Sequence, residues 1–582
     1  MATEHLLDEF PPVSTAEWEA AIARDLKGAD YEKKLIWHTE DGLSVKPYYR
    51  AEDLKDLACA DAAPGKFPFR RGSRASGDWM IREEIDATGA GEANREAVAA
   101  VAAGAEGIAF TNILPKTAAE LELLLANLGE MPVHFAQMNE AALQLLIEHC
   151  LVRSCAVMST GCDAVASIEF AAKITQATPS GLVPFTIHAD RFEESGATTV
   201  EEIGFALAAG VDFVAAMREH GVDVNRAATV MEFAFAIGSD YFFQIAKLRA
   251  FRMLWAKAMQ SFSVSNAAAR ARIATRTSRW NKTLYDPHVN VLRTTTEAMA
   301  AILGGSDAVI VAAFDESYRD PDAASRRLAR NTQLLLKHEA WLDRVADPGG
   351  GSYFLEAITE SLAHEAWKNL QQIEAIGGYR KAEADGSVAN ALERSMAVRK
   401  SAVERRRRTF VGTNQFANPT ERVLDRIDDG RVNASSRASL AYEELRLRTE
   451  HSAKQGRRTP QVLLAEIGDV KMRAARSNFA MNFFACAGFE IATKRFNKAE
   501  EIAAESADVI VLCSADAEYA GLVEDLMPHL QALGRATPVI IAGNPENAEQ
   551  LKAAGVADFV HIRSNPLEVL TIWQERLGIK GE

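Results

Sequence analysis

Between about residues 70 and 390 the chain repeats one local plan: a short run rich in β-branched and aromatic residues, then a longer stretch with helical spacing. The β-rich runs read "GAEGIAFTNI", "MPVHFAQM", "SCAVMST", "LVPFTIHAD", "AATVMEFAFAI", "ARIATRTS" and "DAVIVAAFDE". Seven or eight such units in series predict a (β/α)8 TIM barrel whose functional loops follow the strands. The periodicity weakens into Arg- and Glu-rich text after 390, then restarts near 458 with "QVLLAEIG", "FEIATKRF", "ADVIVLCS", "TPVIIAG" and "DFVHI". Five such runs separated by helical segments predict a flavodoxin-like doubly wound domain. The expected division is an N-terminal arm at 1–45, a barrel at 46–390, a helical connector at 391–457 and the doubly wound domain at 458–582. Within the arm, "FPPVSTAEWEAAIARDLKGADY" offers Ser14 or Thr15 as a helix N-cap and Gly28 as a stop. An arm needs a surface to lie on.

A chain of 582 residues exceeds what one core organises, and 48% hydrophobic with 25% charged residues is the balance of a globular enzyme. The formal charge of −15 repels polyanions and excludes nucleic acid as a main partner, so "ERRRRTF" (404–410) reads as a solvated helix face. Cys59, Cys150, Cys155, Cys162, Cys486 and Cys513 form no C-x-x-C pair and have no histidine at zinc-ligand spacing. Reduced thiols and no metal site are expected. The acidic N-terminus lacks a basic-then-apolar signal, and no run of 18 apolar residues occurs. These features point to a cytoplasmic protein that does not enter a membrane.

Several local patterns could carry chemistry. "LVPFTIHAD" puts His188 and Asp190 on one face at a strand end, where barrel metal sites are built, but no further histidine or acidic cluster completes a shell. Asp315–Glu316 and His338–Glu339 could act as acid/base pairs, and structural hydrogen bonding is the simpler reading. "FFQIAKLRAFRMLWAKAM" (242–259) reads as a wall helix with a basic side formed by Lys247, Arg249, Arg252 and Lys257. "LLAEIGDVKMRAARSNFAM" (463–481) is a strand, a turn at Gly468–Asp469 and a helix from about Val470. Met472, Ala475, Phe479, Phe483 and Cys486 recur there as a buried face.

Four long runs in order, "FFQIAKLRAFRMLWAKAM", "DPHVNVLRTTTEAMAAILGG", "RLARNTQLLLKHEAWLDRVADPGGGSYFLEAIT" and "IEAIGGYRKA", with the arm segment "EWEAAIARDLKGADYEKKLIWHTEDGLSVKPYY", resemble the cobalamin-dependent acyl-CoA mutases, most closely the methylmalonyl-CoA mutase family. The resemblance covers most of the chain. It implies a barrel that holds an acyl-CoA and a C-terminal domain that holds cobalamin through D-x-H-x-x-G, S-x-L and G-G elements. Here those elements fall on Asp469, Lys471 and Ala474, on Ser514–Ala515–Asp516, and on Gly543–Asn544. A protonated lysine offers cobalt no lone pair, and a carboxylate stands at the tail wall. The lysine that precedes the family signature falls on Glu466.

The barrel positions are altered in the same way. The family's active-site tyrosine falls on Arg74, just ahead of the retained Trp79, Ile81 and Arg82, and its histidine falls on Arg191. The histidine and glutamine of H-S-Q-T-S-G-W fall on Ala274 and Arg276, although Thr277, Ser278 and Trp280 remain. The segment that supplies the substrate-carboxylate arginine has no counterpart between Gly161 and Pro184. The resemblance therefore implies a non-catalytic small subunit without cobalamin of its own, paired with a catalytic large subunit of methylmalonyl-CoA mutase that holds adenosylcobalamin. Three alternatives stay open: metal-dependent chemistry at His188/Asp190, a complex acting on another branched acyl-CoA, or a cobalamin carrier or acyl-CoA sensor.

Overall fold

The computed structural model describes residues 13–579 apart from 56, 58–61, 153–157, 165–166, 429–431 and 433–436. Cys59, Cys155 and the first 12 residues of the arm lie outside the described residues. Eight parallel strands form the barrel: β1 (Met80–Ile85), β2 (Gly107–Phe110), β3 (Val133–Phe135), β4 (Met158–Thr160), β5 (Leu182–Val183, continued as Phe185–His188), β6 (Met231–Ile237), β7 (Ile273–Thr277) and β8 (Ala308–Ile310). Strand β8 pairs with β1, and the two halves of β5 pair with β4 and β6, so every strand has two neighbours. Pro184, which has no N–H, interrupts the ladder within β5. Two hydroxyls bridge the gap: Thr160 Oγ1 donates to the Pro184 carbonyl at 2.6 Å and Thr186 Oγ1 to the Thr160 carbonyl at 2.7 Å.

Strand β1 is the eighth unit, absent from the seven runs because its text "MIREEI" is charged. The period of two explains it. Glu83 points outward to Arg330 on helix Ala323–His338 (2.7 Å), while Arg82 and Glu84 point into the barrel.

The helix Tyr241–Ser261 forms part of the wall, as its pattern predicts, but most of its basic side is buried. Lys247, Arg249 and Arg252 are 0%, 0% and 2% exposed. Lys247 pairs with Glu202 at 2.7 Å and Arg249 with Glu356 at 2.7 Å, while Arg252 donates to the Gly304 carbonyl at 2.7 Å. Periodicity cannot separate a solvated cation from a buried, paired one, because both recur at helical spacing.

Position 390 falls inside the continuous helix Ser387–Glu404, so a division there cuts an element. The "ERRRR" text is not a solvated helix face. The helix ends at Glu404, Arg406 turns inward to the Asn482 carbonyl (2.7 Å), and Arg408 pairs with Glu40 (3.0 Å) and Asp240 (2.9 Å). Trp280, Val403, Phe410 and Tyr442 share one core with Phe483 and Phe484, which fastens connector, barrel and C-terminal domain together.

The C-terminal sheet is parallel, with β10 (Glu490–Arg495), β9 (Gln461–Glu466), β11 (Val509–Cys513), β12 (Val539–Ala542) and β13 (Asp558–Val560) in that spatial order. The order reverses between β9 and β11, which places the ligand crevice of a doubly wound fold at their carboxyl ends.

Candidate functional site

The resemblance points to two places: the barrel axis with its carboxyl-end mouth, and the crevice at β9/β11. Both are built here from charged side chains that satisfy one another.

Inside the barrel Arg82 donates to both oxygens of Glu232 on β6, at 3.1 and 3.3 Å, with both residues buried. His134 on β3 lies beside them, its Nδ1 2.8 Å from Ser159 Oγ and 3.9 Å from Glu232. Burial, then the charge of Arg82, push the His134 pKa down to about 3, so the ring is neutral at physiological pH. Burial also opposes the Glu232 charge, but Arg82 outweighs it and holds the carboxyl below its usual range. A cavity of about 370 Å³ lies at the carboxyl end and one of about 420 Å³ at the amino end. Arg82 lines both, so its ion pair partitions the axis.

One layer nearer the carboxyl end, Arg276 on β7 donates to both oxygens of Glu84 on β1, each at 2.9 Å, and to Glu316 at 2.5 Å. Arg279 extends the network to Glu194 at 3.0 Å and Glu316 at 3.7 Å. A bidentate guanidinium–carboxylate fork is rigid and has few donors left over. Ala274, one pleat below Arg276, is buried and offers no polar group.

Arg191 is exposed, on the short helix after β5. Arg74 stands at the amino-terminal mouth, 3.6 Å from Asp307. The four altered positions therefore do not converge: Arg191 and Arg276 lie toward the carboxyl ends of β5 and β7, Ala274 in the amino-terminal half of β7, and Arg74 at the opposite mouth.

His188 and Asp190 do meet, Nδ1 lying 3.5 Å from Oδ1, while Nε2 is 3.0 Å from the Gly161 carbonyl oxygen. Burial disfavours the charged ring, yet the Asp190 hydrogen bond and charge raise its pKa above the ordinary value. A ring nitrogen facing a carbonyl carries a proton and offers a metal no lone pair. Among the described residues no group of three or more His, Cys, Asp or Glu is placed to hold a metal ion.

At the C-terminal crevice the helix does begin at Val470, capped by Asp469, whose carboxylate accepts from the Met472 N–H at 2.8 Å. Its buried face agrees with the expected one at Phe483 and Cys486 and differs at the other three positions. Ser477, Ala480, Phe483 and Phe484 are buried, Met472 and Phe479 are half-buried, and Ala475 is exposed. The first two turns overhang the end of the sheet, so only the second half packs, and Val470, Lys471 and Ala474 face solvent.

The crevice itself is crossed by Glu518. Its carboxylate accepts from the Asp469 N–H (3.1 Å), the Ala515 N–H (3.2 Å) and the Ser514 hydroxyl. A Cβ on Gly468 would collide with the Glu518 carboxylate and the Ser514 hydroxyl. Asp516 pairs with Arg476 at 2.9 Å, and a Cβ on Gly543 would meet Asp516 at 2.9 Å and the Tyr519 ring at 3.3 Å. Asn544 is exposed, and Glu466 pairs with Arg495 at 3.1 Å. A corrin with its nucleotide tail does not fit these residues: position 471 supplies no imidazole, and Glu518 and the Arg476–Asp516 pair stand at the carboxyl ends of β9 and β11.

Sequence reasoning missed the pairings of Arg82, Glu84, Glu232 and Glu518. The signal was present for the first three, since charges at strand positions that face a barrel interior need partners.

The family model for methylmalonyl-CoA mutase matches residues 38–120 and 156–479. The chain belongs to the methylmalonyl-CoA mutase family. It is 35% identical to the methylmalonyl-CoA mutase small subunit of Porphyromonas gingivalis, over 99% of both chains. It is 33% identical to the small subunit of Streptomyces virginiae, over 99% of this chain and 98% of that one. The large subunit of Streptomyces virginiae is 29% identical over 76% of this chain and 67% of its own length. The small subunits thus match end to end. Family membership makes the chain part of a mutase, an isomerase. Among the described residues no helix is long and apolar enough to cross a membrane.

Proposed function

We propose that this chain is the non-catalytic small subunit of a heterodimeric methylmalonyl-CoA mutase, which interconverts methylmalonyl-CoA and succinyl-CoA in the cytoplasm. The large subunit holds adenosylcobalamin and the acyl-CoA. This chain holds neither; it stabilises or tunes its partner, with the arm at 1–45 as a principal contact. One observation carries the reading: in both places where the family's chemistry would be built the charged groups are engaged with the chain's own side chains, Arg276–Glu84–Glu316 in the wall of the barrel's carboxyl-end cavity, and the hydrogen-bonded Glu518 with the Arg476–Asp516 pair in the crevice. A radical isomerisation needs an open, shielded cavity with its stabilising groups aimed at the reacting atoms. Here those groups are aimed at each other. The end-to-end match to small subunits supports the same assignment.

The test is expression of the chain alone and with a methylmalonyl-CoA mutase large subunit from the same organism, followed by size-exclusion chromatography, the cobalamin absorption spectrum and mutase turnover. The expected result is co-elution, with cobalamin and turnover found only when the large subunit is present. A cobalamin-bound or active isolated chain overturns the non-catalytic reading, and failure to co-elute overturns the partner.

A further inference from the structure

The basic run "ERRRRTF" (404–410) takes no part in either candidate site, and its geometry is that of a strap. Past the helix end at Glu404 the side chains alternate: Arg405, Arg407 and Thr409 are exposed, while Arg406, Arg408 and Phe410 turn inward. The inward groups reach different parts of the molecule. Arg406 Nη2 donates to the Asn482 carbonyl at 2.7 Å and lies 3.0 Å from Cys486 Sγ, with its guanidinium 5.4 Å from the centre of the Phe483 ring. Arg408 pairs with Glu40 at 3.0 Å, in the turn of the hairpin formed by Trp37–His38 and Ser44–Val45, and with Asp240 at 2.9 Å, between β6 and its helix. Phe410 packs against Trp280 of the barrel, ring centres 5.8 Å apart.

The run is held under strain. Arg406 sits at φ 54°, a left-handed conformation that a long side chain keeps only where its surroundings fix it. Here they do. The Arg407 and Arg408 N–H groups both donate to the Ala402 carbonyl, at 2.8 and 3.0 Å, and the fully buried Asn414 accepts from the Phe410 N–H (2.6 Å) and donates to the Arg408 carbonyl (2.9 Å). Further on, the Phe416 N–H donates to Asn482 Oδ1 at 3.0 Å, so both ends of segment 406–416 grip Asn482. Glu40, by contrast, pairs with Arg408 and, at 3.9 Å, with Arg399, and among the described residues it makes no ion pair with the C-terminal domain. The hairpin therefore reaches helix Val470–Phe484 through the connector, and the strap is the direct route.

We propose that residues 404–410 are a strap coupling the arm's hairpin to the C-terminal domain: Glu40, by holding Arg408, keeps Arg406 seated on Asn482 and so sets how firmly helix Val470–Phe484 is held. In the proposed heterodimer the arm is the partner contact, so a subunit that grips the arm tightens this helix. That last step rests on the subunit assignment; the strap itself does not.

The experiment is amide hydrogen exchange of the full-length chain and its Glu40→Gln and Arg408→Gln variants, with and without the large subunit. In the isolated chain Glu40→Gln is expected to speed exchange across 477–484 about threefold, the worth of one partly exposed ion pair, and to leave helix Ala323–His338 unchanged. In an Arg408→Gln background the same substitution should add nothing. Unchanged exchange at 477–484, equal acceleration in helix Ala323–His338, or an effect that survives in Arg408→Gln overturns the strap. The melting temperature of Arg408→Gln checks its fold, and where that variant does not fold the unequal effect of Glu40→Gln on the two helices decides. With the large subunit bound, exchange at 477–484 should slow in the native chain and not in Arg408→Gln. Equal slowing in both overturns the coupling to the partner, and failure to co-elute overturns the subunit assignment alone.

Discussion

Arg276 and Glu84 face each other across the carboxyl end of the barrel, Nε and Nη2 each 2.9 Å from one oxygen of the carboxylate. The resemblance puts a catalytic glutamine at 276, a group that must remain free to meet a ligand. A guanidinium forked onto Glu84 and bonded to Glu316 is not free. The site's polarity has been retained and its direction reversed.

Removing that guanidinium strands two carboxylates. Arg276→Ala is expected to lower unfolding stability by about 2–4 kcal/mol, somewhat below the cost of breaking a wholly buried pair because Glu84 and Glu316 are partly exposed. Urea midpoints of the two proteins measure it. An unchanged midpoint would mean that solvent already screens the pair. In the complex with the large subunit, turnover per bound cobalamin should change by less than about twofold, since nothing is removed that touches the reacting atoms.

Restoring the cobalamin signature should not restore cobalamin binding. Lys471→His with Ala474→Gly recreates the ligand and the glycine, but Glu518 still caps Asp469 and Ser514, and Asp516 still pairs with Arg476. The absorption spectrum of cobalamin mixed with the double variant should match that of free cobalamin. A shift that follows the protein through gel filtration would show that sequence alone, and not the filled crevice, keeps the corrin out.

The architecture was legible because it rests on periodicity. Seven strand runs and a second α/β restart are long-range patterns that no single residue can disguise, and "MIREEI" escaped only because its interior positions are charged. The resemblance assigns the corrin positions residue by residue, and Lys471 differs from histidine in any fold. What closes the crevice was not, because Glu518 reaches Asp469 from 49 residues away, a pairing with no local signature. The same holds for Lys247–Glu202 and Arg249–Glu356, where helical spacing showed the cations but not the partners that allow their burial. In helix Val470–Phe484 the period was right, but where the helix leaves the sheet is set by tertiary packing.

Asp41 makes a pH prediction with a definite sign. Its folded pKa, about 6, lies above the ordinary value of 3.8, so the folded chain holds the extra proton between those values. Stability therefore falls as pH rises from about 4 to 6 and is level above 6 on this account. Asp41→Asn keeps an acceptor for the Val200 N–H and removes the charge. It should stabilise the chain by about 1–2 kcal/mol at pH 7.5, discounted because the carboxyl is only partly shielded, and by nothing near pH 4. Melting temperatures of both proteins across that range give the answer, and parallel curves would remove the inferred burial cost.

The helix Thr15–Asp25 is 11 residues long and has no buried residue, which is its most informative property. Helices of this length are marginal in water without tertiary packing, and the Ser14–Glu17 capping box adds only about 1 kcal/mol. On its own chain the helix has the Trp18–Tyr48 ring contact at 5.7 Å and the Thr15–Glu52 hydrogen bond, while Trp18 remains 48% exposed. An exposed tryptophan on a well-capped, unpacked helix is the composition of an interface anchor. Deleting residues 1–36 should therefore leave the melting temperature within a few degrees, since none of the described residues among them is buried. It should also abolish co-elution with the large subunit. Retained co-elution would move the subunit contact to the body of the barrel, and a large fall in melting temperature would mean that the arm stabilises this chain and not the pair.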